Sequence, residues 1–259
     1  MSREALKTAL FVGFFSMMLT LPSKAQAYES LWTDLPTASA RSLPPVGGVA
    51  LPRTHRLLSV DLRGLGNALD AVSRGRAATT RISLPHPKGG FEVFDLHPSN
   101  VMSPELAQRY PEIRAYKGRS VERPHTVVQL EFTPRGVTAQ VLAPGQRWAI
   151  DPLISGRPDH AVAYFAEDAI TTGRDHKCLL HSEPESEKTL ALKKMYARGA
   201  SGARAIGQSM RSYCLAVATT GEYTQYHGGT KSLALSAVTT TVARVAGIYE
   251  KELAVTFTL

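Results

Sequence analysis

Apolar positions recur every second residue through the middle of the chain and every third or fourth residue near its carboxy-terminal end, and the two periods predict two kinds of architecture. Val128, Leu130 and Phe132 alternate with Gln129 and Glu131, Thr133-Pro134-Arg135-Gly136 supplies turn chemistry, and Val137, Ala139 and Val141 alternate on the return. This predicts a β-hairpin over 125–142 with one apolar face and one polar face. Leu57, Leu58, Val60 and Leu62 predict an earlier strand, Ile82 and Leu84 a second, and Phe91, Val93 and Phe94 a third. Trp148 with Ile150, and residues 161–165, predict two more. Five or more short antiparallel strands separated by Pro and Gly imply a sheet or sandwich.

The last segment is organised differently. Leu233, Leu235, Val238, Val242, Val245, Ile248 and Tyr249 fall close to helical spacing, so 232–249 predicts an amphipathic helix with Gly247 near its end. Residues 214–218 read as a strand before it, 221–230 as a polar turn, and Leu253, Val255, Phe257 and Leu259 as an alternating strand after it. Strand, turn, helix, strand is a β-α-β opening. One such unit cannot bury its own sheet faces, so the pattern predicts that more chain follows Leu259.

The two patterns make the fold class α+β, with an antiparallel β-rich region over 55–182 and the β-α-β opening over 212–259. Residues 28–54 are rich in Pro, Ala, Ser and Gly, show neither period, and read as an extended leader. Within the β-rich region, Ser103-Pro104-Glu105-Leu106 has the serine of an N-cap and the proline of a first helical position, so a short helix ends before Pro111, with Leu106, Tyr110 and Ile113 as anchors. Between 183 and 211 the apolar period fades. Lys193, Lys194, Arg198, Arg204 and Arg211 flank Gly199-Ala200-Ser201-Gly202-Ala203, and this basic, small-residue stretch reads either as a processing region, open to an extended strand in a protease cleft, or as a solvated connector.

Targeting and charge narrow the picture. Arg3 and Lys7 precede an uncharged apolar run over 9–21, and Ala25-Gln26-Ala27 closes the segment. These are the parts of a secretory signal peptide cleaved after Ala27; the run is too short to span a bilayer comfortably, and no second apolar stretch is expected to approach transmembrane length, so the mature chain is expected to be soluble, secreted or periplasmic, with no membrane partner. Net charge is +8, or +6 once Arg3, Lys7 and Lys24 are removed together with Glu4. Arginines are scattered and not interleaved with aromatics, so nucleic acid is not an expected partner. Cys178 and Cys214 are the two cysteines. In an oxidising compartment a disulfide, a buried thiol and a metal-directed thiolate all remain open for them.

Residues 213–226 (YCLAVATTGEYTQY), the turn His227-Gly228-Gly229-Thr230 and residues 240–255 (TTVARVAGIYEKELAV) resemble the start of the catalytic domain in bacterial reprolysin-like zinc metallopeptidases, a branch of the metzincins. Residues 91–120, and the chain onward to Cys178, resemble the propeptide of those enzymes. The resemblance implies a secreted precursor: β-rich propeptide, processing region, and an incomplete opening of a metzincin-like α/β catalytic domain, with zinc as the cofactor of a full-length relative and proteins or peptides as substrates. It also implies a role for Cys178 as a propeptide thiolate on the catalytic zinc, beside the alternative of a Cys178–Cys214 disulfide.

The chemistry itself is missing from the sequence. A metzincin holds zinc with two histidines one helical turn apart, a glutamate beside the first, and a third histidine further on. None of the eight histidines, His55, His86, His97, His125, His160, His176, His181 and His227, is followed by Glu, and no two are four apart. His176 and His181 would splay by about 140° on a helix. No catalytic residue is assigned, Glu222 reads as a turn or capping residue, and the chain as given is expected to be inactive. The competing expectation is a non-catalytic exported module that binds a protein or inhibits a protease.

Overall fold

The computed structural model describes residues 30–36, 51–170 and 209–259. Nine strands form one curled antiparallel sheet: β1 (Trp32–Asp34), β2 (His55–Val60), β3 (Thr80–Pro85), β4 (Phe91–Pro98), β5 (Arg114–Ser120), β6 (Val127–Thr133), β7 (Gly136–Ala143), β8 (Gln146–Ile154) and β9 (Arg157–Phe165). Their spatial order is β1-β2-β9-β8-β7-β6-β5-β4-β3. Strands β3 to β9 are consecutive meander neighbours; β9 then returns beside β2. The leader-like stretch contributes β1, whose Trp32 is buried and donates from Nε1 to the Ser83 carbonyl at 3.0 Å.

Alternation along each strand decides which side chains go inside. Leu58, Ile82, Phe94, Leu96, Tyr116, Leu130, Ala139, Val141, Trp148, Ile150 and Ala163 meet on the inner face in one continuous core. Helix α1 (Leu62–Ser73) lies on this face with Leu65 and Leu69 fully buried. Each such aliphatic side chain contributes about 1.5–3 kcal/mol, an upper bound because denatured chains already bury some apolar area. Sequence reading placed Leu62 at the end of a strand; it is instead the first residue of α1. Asp61 is the N-cap, its carboxylate accepting from Gly64 N at 3.0 Å, which ends β2 and starts the helix.

The predicted hairpin is β6–β7. Its turn is Pro134-Arg135, and Gly136 has φ of 116° with the Pro158 carbonyl 2.9 Å from where a Cβ would sit, so no larger residue fits. The predicted short helix is α2 (Pro104–Arg109), with Ser103 at the N-cap, although its side chain makes no cap hydrogen bond. Ile113 is buried and Leu106 and Tyr110 are partly buried beside it, as anchors should be.

The carboxy-terminal unit comprises β10 (Arg211–Cys214), α3 (Gly221–Tyr226), α4 (Lys231–Leu253) and β11 (Val255–Thr258). Strands β10 and β11 are parallel, pairing Arg211 with Val255 through Cys214 with Thr258, as a β-α-β unit requires. Three boundaries differ from the sequence reading: the helix expected over 232–249 runs on through Leu253, which was assigned to the strand after it, so that strand begins only at Val255. The first strand lies over Arg211–Cys214 and not over 214–218, and the stretch read as a polar turn opens with α3, which Thr220 caps by accepting from Tyr223 N. Thr230 caps α4 in the same way through Leu233 N. At 23 residues α4 is, by length and composition, long and apolar enough to cross a membrane, a length that sequence reading did not expect; half of its apolar window is buried against protein.

Candidate functional site

The helix α4 rests on the outer face of the sheet, over β6 and β7. Val238, Val242 and Ala243 pack with Val101, Met102 and Ile113 in a second apolar cluster, which Leu106, Tyr110, Phe257 and Leu259 flank. The main chain also joins the two parts: Ser103 N donates to the Leu259 carbonyl and Leu259 N to the Val101 carbonyl, both at 2.8 Å. Thus the loop before α2 lies along the end of β11. On the other side of the pair, Tyr213, Leu215 and Val217 remain exposed, as does Tyr226 at 60%.

Beside the apolar cluster the contact is polar. Gly247 brings the helix so close that a Cβ there would stand 2.8 Å from Gln129 Cγ. Glu131, on the outer face of β6, is fully buried beneath α4. Thr138 Oγ1 donates to its Oε2 at 2.7 Å and stands 3.4 Å from Thr240 Oγ1 of the helix. The other carboxylate oxygen, Oε1, has no hydrogen-bond partner among the described residues. Burial pushes the Glu131 carboxyl up to about 7, against the opposing pull of the Thr138 hydrogen bond and the Arg244 charge.

Arg244 reaches from α4 to Asp151 on β8, with Nη2 2.5 Å from Oδ1, and Tyr164 on β9 donates its hydroxyl to Asp151 Oδ2 at 2.6 Å. Burial opposes the charge on Arg244, but the Asp151 carboxylate more than offsets it, and the guanidinium is held above its ordinary value. Burial, and then Asp151, raise the Tyr164 hydroxyl. Further along, Lys117 pairs with Glu250 at 3.3 Å, Lys251 donates to the Leu142 carbonyl at 3.1 Å, and Ser232 donates to Glu112 at 2.5 Å.

The residues singled out from sequence lie elsewhere. Cys214 is exposed at the end of β10 and bonds to no described cysteine. Arg211 is the first residue of β10, and Glu222 sits in the first turn of α3, where its own backbone and then Thr220 lower its carboxyl value. His227 is ringed by Tyr223 and Tyr226, at 4.4 and 4.9 Å between centroids, and burial followed by the Arg135 charge lowers its value. The signal segment, Cys178, His176, His181, Lys193, Lys194, Arg198 and Arg204 lie outside the described residues. Among the described residues no three His, Cys, Asp or Glu side chains are placed to hold a metal ion, so those residues do not fit a zinc site. A shallow groove of about 570 Å³ between α1 and the β6–β7 turn is lined by Asp70, Arg74 and Arg114, whose charges already pair with one another.

The interface residues Glu131, Asp151, Tyr164 and Arg244 were not read as special in the sequence. The one available signal was that Glu131, between Leu130 and Phe132, and Asp151, after Ile150, occupy outward positions on apolar β-strands, which is also how a solvent-facing strand looks.

The outer face of the sheet and the unit docked on it together define an α+β protein whose carboxy-terminal part is a parallel β-α-β unit. Residues 209–259 match the model of the reprolysin-like metallopeptidase family M12B, and this stretch begins two residues before β10 and includes all of α3, α4 and β11. The match supports a metallopeptidase relationship for that unit and, through it, protein or peptide substrates and zinc in its relatives. No curated protein matches the chain.

Proposed function

We propose that the chain belongs to a zinc-dependent metalloendopeptidase precursor that is secreted or periplasmic, in which residues 55–182 act as a β-rich propeptide, 183–211 holds the processing region, and 212–259 opens a metzincin-like catalytic domain. The observation that carries this reading is the coincidence of the family match with one structural unit, the parallel β10–α4–β11 arrangement. Its exposed Tyr213, Leu215 and Val217 are what a unit awaiting more of its own sheet would present.

Peptide hydrolysis in such an enzyme uses water activated on zinc. The 259 residues contain no His-Glu pair, so a catalytic form requires a metal-binding helix that they do not supply. No step of the reaction is assigned to the described residues. Cys178 serves as a thiolate ligand to that zinc, as the partner of Cys214 or as a free thiol, and counting free thiols on the exported protein before and after chelation separates the first two. Thiols that stay blocked after metal removal fit the disulfide and exclude the ligand role.

Coding DNA beyond Leu259 is the direct test. A frame that runs into a zinc-binding helix, and whose product hydrolyses casein until a chelator is added, fits the precursor reading; an open frame whose product does not cleave casein under any processing condition counts against it. A second reading, an exported protein-binding or protease-inhibiting module, has one observation in its favour: the outer face of the sheet already holds a helix. Inhibition of an added metallopeptidase by the chain, without hydrolysis, would select this second reading.

A further inference from the structure

The contact between the sheet and α4 combines a small apolar cluster with a polar layer that is buried but incompletely paired. Glu131 Oε1, Gln140 Oε1, Thr239 Oγ1 and Arg244 Nε, gathered at this contact, lack hydrogen-bond partners among the described residues, as do Thr126 Oγ1 and Trp148 Nε1 elsewhere in the sheet. In a permanent core such atoms are rare, because each unmade bond costs about 1–3 kcal/mol. They cost nothing once water reaches them. Separation of α4 from the sheet restores hydration to the four groups at the contact together, which lowers the cost of opening it.

We propose that the outer sheet face and α4 form a separable, proton-gated latch: the fully buried Glu131, with Oε1 unpartnered beneath α4, favours docking when it carries a proton, and its ionisation as the pH rises weakens the docking of residues 209–259 on the sheet. The inference concerns the contact alone and stands apart from whether the chain is part of a peptidase.

The electrostatics around Glu131 set the sign. Thr138 of β7 donates to it, Asp151 of β8 adds a like charge, Arg244 of α4 adds the opposite charge, and Arg135 of the β6–β7 turn faces Asp151 and Arg244. Tyr164 of β9 keeps its proton on Asp151. Docked, the Glu131 carboxyl titrates at about 7; once α4 lifts away it returns toward the ordinary 4.5. The docked state thus holds one proton more between these values. Docking is at full strength below about pH 4.5, weakens as the pH rises, and levels off above about 7, with a ceiling of about 300-fold in the docking equilibrium. His97, which burial and then Lys117 push down, and His227 act in the opposite sense, because docking favours their neutral forms. A variant at Glu131 isolates the carboxyl from both.

The test uses the whole chain carrying one engineered protease site within 171–208, cut under reducing conditions so that no disulfide bridges the pieces. With the sheet part immobilised, release of the 209–259 piece is followed from pH 5 to pH 8. Release is expected to be at least tenfold faster at pH 8, and Glu131→Gln, which cannot ionise, is expected to hold the piece at pH 8 as the parent does at pH 5. Equal release at both pH values, a Glu131→Gln variant that keeps the parent slope, or pieces that never part would each overturn the proposal. Hydrogen exchange of the α4 amides in the uncut chain, corrected for intrinsic pH dependence, provides a second readout that does not depend on cutting. Protection there should fall from pH 5.5 to 7.5 in the parent and stay level in Glu131→Gln.

Discussion

Removing the Asp151 carboxylate tests how much the polar layer holds the two parts together. Asp151→Ala deletes the 2.5 Å contact with Arg244 and the 2.6 Å bond from Tyr164, leaving a guanidinium and a phenol facing each other under α4. Breaking one side of a buried ion pair costs about 3–5 kcal/mol. The side chains of Arg244 and Asp151 keep 26% and 25% of their exposure, so water compensates part of the loss and about 2–3 kcal/mol is expected. Arg244→Met, which leaves Asp151 its bond from Tyr164, should cost about 2 kcal/mol, and the double variant less than the sum by about 1–2 kcal/mol, because the second change removes the stranded partner. Urea unfolding reads this with two probes. Trp32 and Trp148, the two tryptophans of the chain, are both buried in the sheet core, whereas α4 is the longest described helix and contributes strongly to the ellipticity at 222 nm. In Asp151→Ala part of the helical signal should be lost at lower urea than the tryptophan signal. Single variants that cost under about 0.5 kcal/mol, or that add without coupling, would refute the assignment of Arg244 and Asp151 as the central charged contact.

Three further outcomes follow from local geometry. Gly118→Ala would set a Cβ 2.1 Å from the Asp95 carbonyl across β4–β5, and a backbone atom cannot yield cheaply, so thermal unfolding should show a loss of about 3 kcal/mol or more, or no folded protein. Gly247→Leu should spread α4 from Gln129 and lower the protection of α4 amides, while the tryptophan fluorescence of the sheet core stays native; an unchanged exchange pattern would contradict the close approach. Ala254, the C-cap of α4, has φ of 54°, so Ala254→Gly should stabilise the carboxy-terminal unit by up to about 1 kcal/mol in the same urea assay, with a loss counting against strain at that residue.

The hairpin, the short helix at Pro104 and the β-α-β order were legible because each rests on a local period or a local cap. The helix α1 was not, although Leu62, Leu65, Leu69 and Val72 repeat at helical spacing behind the Asp61 cap. Gly64 and Gly66 lower its intrinsic helix preference, and the preceding Leu57, Leu58 and Val60 continue into Leu62 as a strand would. Packing against β3 and β4 decides the matter. The burial of the outward side of the β6–β7 hairpin was not legible for a related reason. Gln129 and Glu131 have the alternation of a solvated face, and nothing within the hairpin announces that a helix more than a hundred residues later covers them.

The chain's own pattern was thus enough to determine an α+β protein with an antiparallel sheet followed by a β-α-β unit, and to show that no His-Glu zinc signature is present, since periodicity, turn chemistry and residue identity are local properties. Only the tertiary structure decided that the carboxy-terminal unit lies on the outer face of that sheet, that Glu131 is dry and Asp151 paired, and that the remaining faces of β10 stay open. Those facts depend on contacts between residues far apart in the chain, and burial, which sets both the cost of a charge and the value at which it titrates, exists only once those residues meet.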